Sequence, residues 1–411
     1  MSYFHFTNAR IVDGTTPEPK DPVSVVVENG GIRDVGANIR AEGAEVIDLA
    51  GRTLMPGLID CHVHVIAVVA SLAQNAKLPD SLVTSRSMHV MGGMLKRGFT
   101  TVRDVGGADF GLKCAVEEGL FPAPRLVISG KALSQTGGHC DFRGRFDDTP
   151  SAASGFPLGA LGRLCDGVPE VRRSAREELK GGADFIKIMA NGGCASPTDP
   201  IHFFGFSKEE LLAVVEEAES ASTYVSAHVY TDAAIRRCVE AGVLSLEHCN
   251  LIKSETAEIA ANRGCTSVPT LVTYEKLTSE GPSLGITPDS VAKVEVVRSA
   301  GMESLDIMHR AGLPMAYGTD LLGEMHVHQS EEFVIRGRVL PAQTVIASTT
   351  SIAARLLRME GQIGVVAPGA FADLVVVDGD PLEDLSLLTG QGRHMPMIMK
   401  GGVLVKSEFG R

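Results

Sequence analysis

The sequence predicts an α/β protein, and the pattern along the chain is what predicts it. The middle alternates short apolar strands with amphipathic helices, the order that builds a parallel sheet with crossover helices. Both ends are strand-rich instead, which suggests one small β domain built from the two termini. Eight central strands are expected, ending near Asp60, Arg103, Ser129, Lys187, Ala227, Glu247, Thr270 and Asp320. Eight is the count that closes a barrel. A chain of 411 residues also suits one large domain plus a smaller one.

The N-terminal part, residues 1–55, reads as antiparallel strands over Phe4–Arg10, Val23–Glu28 and Ala44–Asp48, separated by turns at Asp13-Gly14 and Asn29-Gly30-Gly31. Residues 56–358 carry the strand–helix alternation. Within it, Ser207-Lys208-Glu209-Glu210 has the capping-box pattern, and Leu211, Leu212, Val215 and Ala218 supply an apolar stripe for the helix it opens. Helices are next expected over Thr231–Ala241 and Ser254–Arg263. Residues 359–411 return to strands. Ala372–Asp378 has a buried-strand pattern, and Pro396–Lys400 with Val403–Lys406 predicts a hairpin around Gly401-Gly402. The stretch 140–170 stands apart, rich in Gly, Pro, Ser and charge. A long irregular loop inside a compact domain is often functional, so it is a candidate substrate lid.

Six potential metal ligands end these strands: His62, His64, Lys187, His228, His248 and Asp320. Strand side chains alternate faces, so His62 and His64 point the same way and suit chelation. Imidazole and carboxylate donors suit Zn²⁺, Mn²⁺, Fe²⁺ or Co²⁺. A lysine in an apolar strand is odd, because buried lysines are rare unless paired. Its reaction with CO₂ gives a carbamate able to bridge two metals. A Schiff-base lysine or a barrel-core ion-pair network with Asp184 or Arg103 is the alternative. Two metals with an activated water, and Asp320 as the proton acceptor, point to hydrolysis of an amide, ester or related bond.

Composition narrows the partners. Hydrophobic residues at 44% and charged residues at 21% describe an ordinary soluble protein. A net charge of −12 repels phosphate backbones and anionic membranes, and aromatics at 5% offer no stacking platform for nucleic acid. Neither nucleic acid nor membrane is therefore an expected partner. Met1 to Thr7 lacks a secretory pattern. Eight scattered cysteines without CxxC spacing read as reduced thiols, a pattern that fits the cytoplasm. Cys61 and Cys249 flank proposed ligands but read as packing residues.

The ordered motifs PGLIDCHVH, FIKIMANGG, SAHVY, LEHCN and GTDLL resemble those of the amidohydrolase superfamily, and PGAFADLVVVDGDP resembles its C-terminal return to the β domain. The resemblance covers nearly the whole chain. It implies a distorted (β/α)8 TIM barrel with a small composite β-sandwich, and a homo-oligomer. It also implies two divalent ions, zinc first among them. His62, His64 and Asp320 would bind one, His228 and His248 the other, with carboxylated Lys187 bridging.

Residues 131–139 and the segment from Gly192 to Pro200 are similar to the prolidase-like branch, which cleaves Xaa-Pro dipeptides and related N-acyl amino acids. That similarity implies that His139 meets the scissile carbonyl and that Tyr230 binds substrate. His139 follows a Gly-Gly turn on the expected catalytic rim, where it can donate to an oxyanion. Arg103, His202, His326 and His328 are candidate partners for a substrate carboxylate. The second HxH pair, His326 and His328, is expected in a loop or helix start and not on the metals. The expected activity is release of a C-terminal amino acid, proline first, from a dipeptide or N-acyl amino acid. The alternatives are a broader N-acyl amino acid amidase that includes ochratoxin-type amides, a cyclic amidase or deaminase, and a non-catalytic scaffold. Lys187 argues against the cyclic amidases, and the complete ligand set argues against the scaffold.

Overall fold

Sequence alternation translates directly into which face of each strand is buried. The computed structural model describes residues 3–15, 20–149, 157–196 and 198–409. Strands β1 (Tyr3–Ile11), β2 (Lys20–Glu28), β3 (Gly31–Gly36), β4 (Glu45–Asp48) and β5 (Thr53–Pro56) come from the N-terminal part. They share one eight-stranded sheet with C-terminal strands described below. The sheet grips the chain at both ends because β5 pairs with the first C-terminal strand.

The middle of the chain supplies β6 (Leu58–Val63), β7 (Phe99–Asp104), β8 (Arg125–Ile128), β9 (Ala132–Ser134), β10 (Gly162–Leu164), β11 (Ile186–Met189), β12 (Val225–Thr231), β13 (Ser245–Leu251) and β14 (Thr266–Val268). All pair in parallel, in two sheets ordered β6-β7-β8 and β10-β9-β11-β12-β13-β14. Near-continuous apolar strands are expected where helices cover a parallel sheet. The sheets are linked by a few backbone bonds, partly through the 314–320 segment. Asp184 N donates to Ile128 O at 2.8 Å on one side; on the other, Cys61 N donates to Tyr317 O at 2.7 Å and Ala316 N to Ser267 O at 2.8 Å.

The eighth expected strand, ending at Asp320, is not a regular strand. Only a bridge between Ser267 and Met315 marks it. Thr319 N and Asp320 N both donate to His62 O, two donors on one acceptor as in a bulge and unlike a regular ladder. The 140–170 stretch is also more ordered than expected, since it contains β10, which pairs with β9 just ahead of it. Its Ser151–Gly155 run lies outside the described residues.

Strands β15 (Leu374–Val377), β16 (Met397–Lys400) and β17 (Val403–Ser407) complete the mixed sheet, in the order β17-β16-β15-β5-β1-β2-β3 with β4 on β1. The predicted hairpin at Gly401-Gly402 is present, with Lys400 opposite Val403. Leu374 and Val376 join a small core with Phe6, Val25, Val27 and Leu54, whereas Val375 and Val377 join the large core of the α/β body. Strand β15 is thus apolar at every position because both of its faces are covered.

Helix ends follow local chemistry. Helix Lys208–Ser220 opens on the expected capping box, with Ser207 Oγ accepting from Glu210 N at 3.2 Å and Glu210 Oε2 accepting from Ser207 N at 2.6 Å. Such a cap contributes about 1 kcal/mol. Leu211, Val215 and Ala218 are buried, but Leu212 is exposed, being 100° away from Leu211 around the helix. Helices Asp232–Ala241 and Ser254–Asn262 match expectation to within a residue at each end. Among the described residues no helix is long and apolar enough to cross a membrane.

Candidate metal centre

The strand-end residues converge on one narrow cavity of about 50 Å³. His62, His64, Lys187, His228, His248 and Asp320 all line it, together with His139 and Tyr230. On β6 and the residue that follows it, the two-residue repeat brings the His62 and His64 rings to 5.5 Å between centroids. The Asp320 Oδ1 atom sits 3.4 Å from His62 Nε2 and 3.2 Å from His64 Nε2. Register places Lys187 on β11 one position before Ile188, which pairs with Ala227, while His228 on β12 lies opposite Met189. The His228 and His248 rings stand 4.7 Å apart, and the His62 and His248 rings 4.8 Å apart.

Each histidine is held from its outer side. His62 Nδ1 donates to Glu247 Oε2 at 2.7 Å, His64 Nδ1 to Gly106 O at 2.9 Å and His248 Nδ1 to Thr270 Oγ1 at 2.8 Å. Those contacts leave Nε2 for the cavity. On His228 the Nε2 atom lies 3.4 Å from Gly192 O, so Nδ1 is the nitrogen left. Outer hydrogen bonds of this kind fix the tautomer of a metal-binding imidazole. Donor atoms of His62, His248 and Asp320 lie within 4.8 Å of one another. This donor set fits a divalent ion.

Electrostatics favour the same use. Burial first, and then neighbouring imidazoles and the Lys187 side chain, hold His228 and His248 well below the usual histidine range, so both rings are neutral. Burial alone raises the Asp320 carboxyl, yet His62 and His64 outweigh it and keep it ionised. Burial also pulls the Lys187 ammonium down to about 8, against the opposing pull of Glu247 and Asp320. Neither ion-pair alternative for Lys187 is seen, because Asp184 pairs with Lys113 and Arg103 with Glu247.

Three backbone sites at the centre are strained. His248, Cys249 and Asp320 have φ of 73°, 58° and 52°, a region that non-glycine residues rarely adopt and that clusters at functional sites. Gly318 lets the chain pass beneath this candidate centre, since a methyl there would meet Val268 Cγ1 at 2.5 Å and His62 Cβ at 2.9 Å.

His139 stacks on His228 at 4.3 Å between centroids. Tyr230 packs on both His228 and His248. A hydroxyl chain runs from Thr270 Oγ1 to Tyr274 Oη and on to Tyr230 Oη, each step 3.3 Å, so Tyr230 accepts from Tyr274 and keeps its own proton to donate.

The four expected carboxylate partners are elsewhere. Arg103 is wholly buried beneath the candidate metal ligands, donating to Cys61 O, Ser245 Oγ, Tyr224 Oη and Glu247 Oε1. The pleat of β7 turns it inward, and its donors are spent on protein. His328 is engaged by Glu331 at 2.5 Å and Glu280 at 2.9 Å, in a 3-10 turn over Gly323–His328. His326 is buried against Ala67 O, and His202 is exposed against Phe203. None of the four lines the cavity. From the 140–170 stretch, Cys140, Phe142 and Leu161 do line it.

Sequence reasoning missed Glu247, Tyr274 and Asn191. Asn191 Oδ1 accepts from Tyr230 N and Thr231 N, and its amide donates to Ile201 O and Phe203 O, pinning the next loop to β12. A buried acid inside an otherwise apolar strand was the available signal for Glu247. All eight cysteines are free thiols, with Cys61 and Cys249 buried as packing residues.

Residues 53–405 match the model of the amidohydrolase family. Ochratoxinase of Aspergillus niger is 31% identical over 376 residues, covering 86% of this chain and 75% of that protein. Among solved structures, an amidohydrolase superposes with a TM-score of 0.98 at 51% identity over 100% of both chains. A prolidase complexed with N-methylphosphonate-L-proline superposes with a TM-score of 0.97 at 46% identity, covering 99% of this chain and 100% of the other.

Proposed function

The chain belongs to the amidohydrolase family and is a hydrolase acting on C–N bonds; from that premise we propose that it is a binuclear metallo-enzyme that releases a C-terminal amino acid, proline first, from a dipeptide or N-acyl amino acid. One observation carries the reading: six donors from five separate segments of the chain meet in one buried cavity, beside His139 and Tyr230. The backbone bonds that link the two parallel sheets, through Asp184 and the 314–320 segment, support a distorted (β/α)8 barrel over residues 56–358. The mixed sheet supports a composite β domain from residues 1–55 and 359–411. The free thiols suit a reducing compartment such as the cytoplasm.

His62, His64 and Asp320 would hold one ion and His228 and His248 the other, with Lys187 between them as a carbamate formed from CO₂ with loss of one proton. Two divalent ions, zinc in our reading, would supply an activated water and Lewis-acid polarisation of the scissile carbonyl. Asp320 takes the proton from that water and delivers it to the leaving amine. His139 offers a hydrogen bond to the carbonyl oxygen as charge develops, and Tyr230 orients the substrate beside it. The products are a carboxylic acid and a free amino acid.

A second reading has a specific observation behind it. The similarity to ochratoxinase, across 86% of this chain, supports a broader N-acyl amino acid amidase. The test is kcat/KM for the zinc-reconstituted protein across dipeptides and N-acyl amino acids that differ in the C-terminal residue. Strong preference for proline supports the dipeptidase. Preference for phenylalanine, with turnover of aroyl amides, replaces it with the amidase.

A further inference from the structure

His139 comes from a turn, yet its ring is held as firmly as those of the strand-borne ligands. Its Nδ1 atom lies 2.9 Å from Ser196 Oγ and 3.5 Å from Asp199 Oδ2. Ser196 Oγ in turn donates to Asp199 Oδ1, and Asp199 Oδ2 accepts from Gly193 N at 3.1 Å. Both side chains are buried, at 1% and 2% exposure. Gly193 forms the floor of this cradle: a methyl there would sit 1.8 Å from His139 Cε1, so the ring occupies the space of the missing side chain.

The cradle is locked from behind. Lys293, on helix Pro288–Arg310, donates from Nζ to Gly193 O at 3.1 Å, Ser196 O at 2.8 Å and Asp199 O at 3.3 Å. One ammonium thus ties down three carbonyls of the loop that grips His139. Three donors on one cation match three acceptors, and hydrogen bonds to a charged donor are stronger than neutral ones.

We propose that Ser196, Asp199 and Lys293 are positioning residues for the reaction, with Ser196 and Asp199 fixing the His139 ring and Lys293 holding their loop in place. The proposal rests on the reading of His139 as the group that meets the scissile carbonyl. With Nδ1–H given to Ser196, Nε2 is the ring nitrogen that meets a substrate oxygen, and it donates there from the doubly protonated ring, with the Asp199 carboxylate 3.5 Å away as counter-charge. A catalytic group misplaced by about 1 Å can lose about 10²-fold in rate.

The experiment measures kcat, KM and bound metal for Ser196→Ala, Asp199→Asn, Lys293→Met and Lys293→Arg, alone and in a His139→Asn background. Expected are a fall in kcat of about 10- to 100-fold with metal content and KM nearly unchanged, and recovery in Lys293→Arg relative to Lys293→Met. In the His139→Asn background the Ser196 and Asp199 changes should add less than about twofold, as groups acting through one residue do. A second readout needs no turnover. In metal-free protein with ¹⁵N-labelled histidine, the His139 Nδ1–H signal, identified by its loss in His139→Asn, should resist solvent exchange and lose that protection in Asp199→Asn.

Unchanged kcat in Ser196→Ala and Asp199→Asn, beside a crippled His139→Asn, overturns the positioning role. So does equal exchange protection in wild type and Asp199→Asn. If His139→Asn itself turns over normally, the reading of His139 fails, while the exchange measurement still decides whether the cradle holds the ring.

Discussion

His62 donates from Nδ1 to one oxygen of Glu247 at 2.7 Å, and the other oxygen of that carboxylate takes the Arg103 guanidinium at 2.8 Å. A metal-site histidine is thereby tied to a cation buried beneath the centre. Burial raises the Glu247 carboxyl, but Arg103, and then His62, hold it well below the usual carboxylate range. The negative charge on Glu247 steadies the ring, and Arg103 makes that charge tolerable where water is excluded.

Glu247→Gln should therefore weaken metal binding by about 10- to 100-fold, the usual effect of losing such an outer contact. It also strands Arg103 without its counter-ion, at a cost of about 3–5 kcal/mol. Metal titration and thermal melting of the same variant check both. Wild-type affinity would show that His62 is oriented by something else.

How far the sequence disclosed this centre depends on backbone regularity. His62 and His64 were legible because residues two apart in an extended chain share a face, even though β6 shifts register against β7. Lys187 and His228 were legible because they lie on neighbouring parallel strands, two register positions apart. Glu247 and His248 are consecutive, so alternation assigns them to opposite faces; both reach the centre because the backbone turns left-handed at His248 and Cys249. No residue type announces that turn. Arg103 was misread for a related reason. A strand-end position does not reveal whether a long side chain rises to the rim or folds back beneath it.

Gly318 offers a steric test of the Asp320 segment. The methyl of Gly318→Ala would press on Val268 and on the His62 Cβ. Overpacking of this kind costs about 1–3 kcal/mol. A lower melting temperature accompanied by reduced metal content is expected. Destabilisation with full metal content would mean that strand β14 absorbs the strain and His62 does not move.

His326 should set part of the acid stability. Burial lowers this imidazole to about 4, with Ala67 O opposing the shift. Unfolded, it takes up a proton near pH 6.5. The unfolded state thus binds the extra proton first, so this contribution is complete above pH 6.5 and disappears as the pH falls toward 4. The full shift corresponds to about 3 kcal/mol. Denaturant unfolding at pH 7 and pH 4.5 should show a smaller acid loss in His326→Asn than in wild type. Parallel curves would remove His326 from the account.

Asp320 is asked to do two things, to help hold an ion and to carry a proton. In Asp320→Asn the amide can still coordinate weakly but accepts no proton. Turnover should fall by about 10²–10⁴-fold while circular dichroism stays native. Near-normal kcat in a metal-loaded variant would reject Asp320 as the base.

Lys187 is where the chemistry departs furthest from what the side chain is by itself. An ammonium repels metal ions, and only the neutral amine attacks CO₂. Burial that brings Lys187 to about 8 leaves about a tenth of it neutral at pH 7, enough to be drawn into a carbamate as ions bind. Metal-free protein supplied with zinc in CO₂-depleted buffer should therefore take up less metal and show little activity, and bicarbonate should restore both. Lys187→Ala should stay inactive with or without bicarbonate. Full activity and two bound ions in the depleted buffer would mean that Lys187 serves the site as an amine, and the bridge between the ions would have to come from elsewhere.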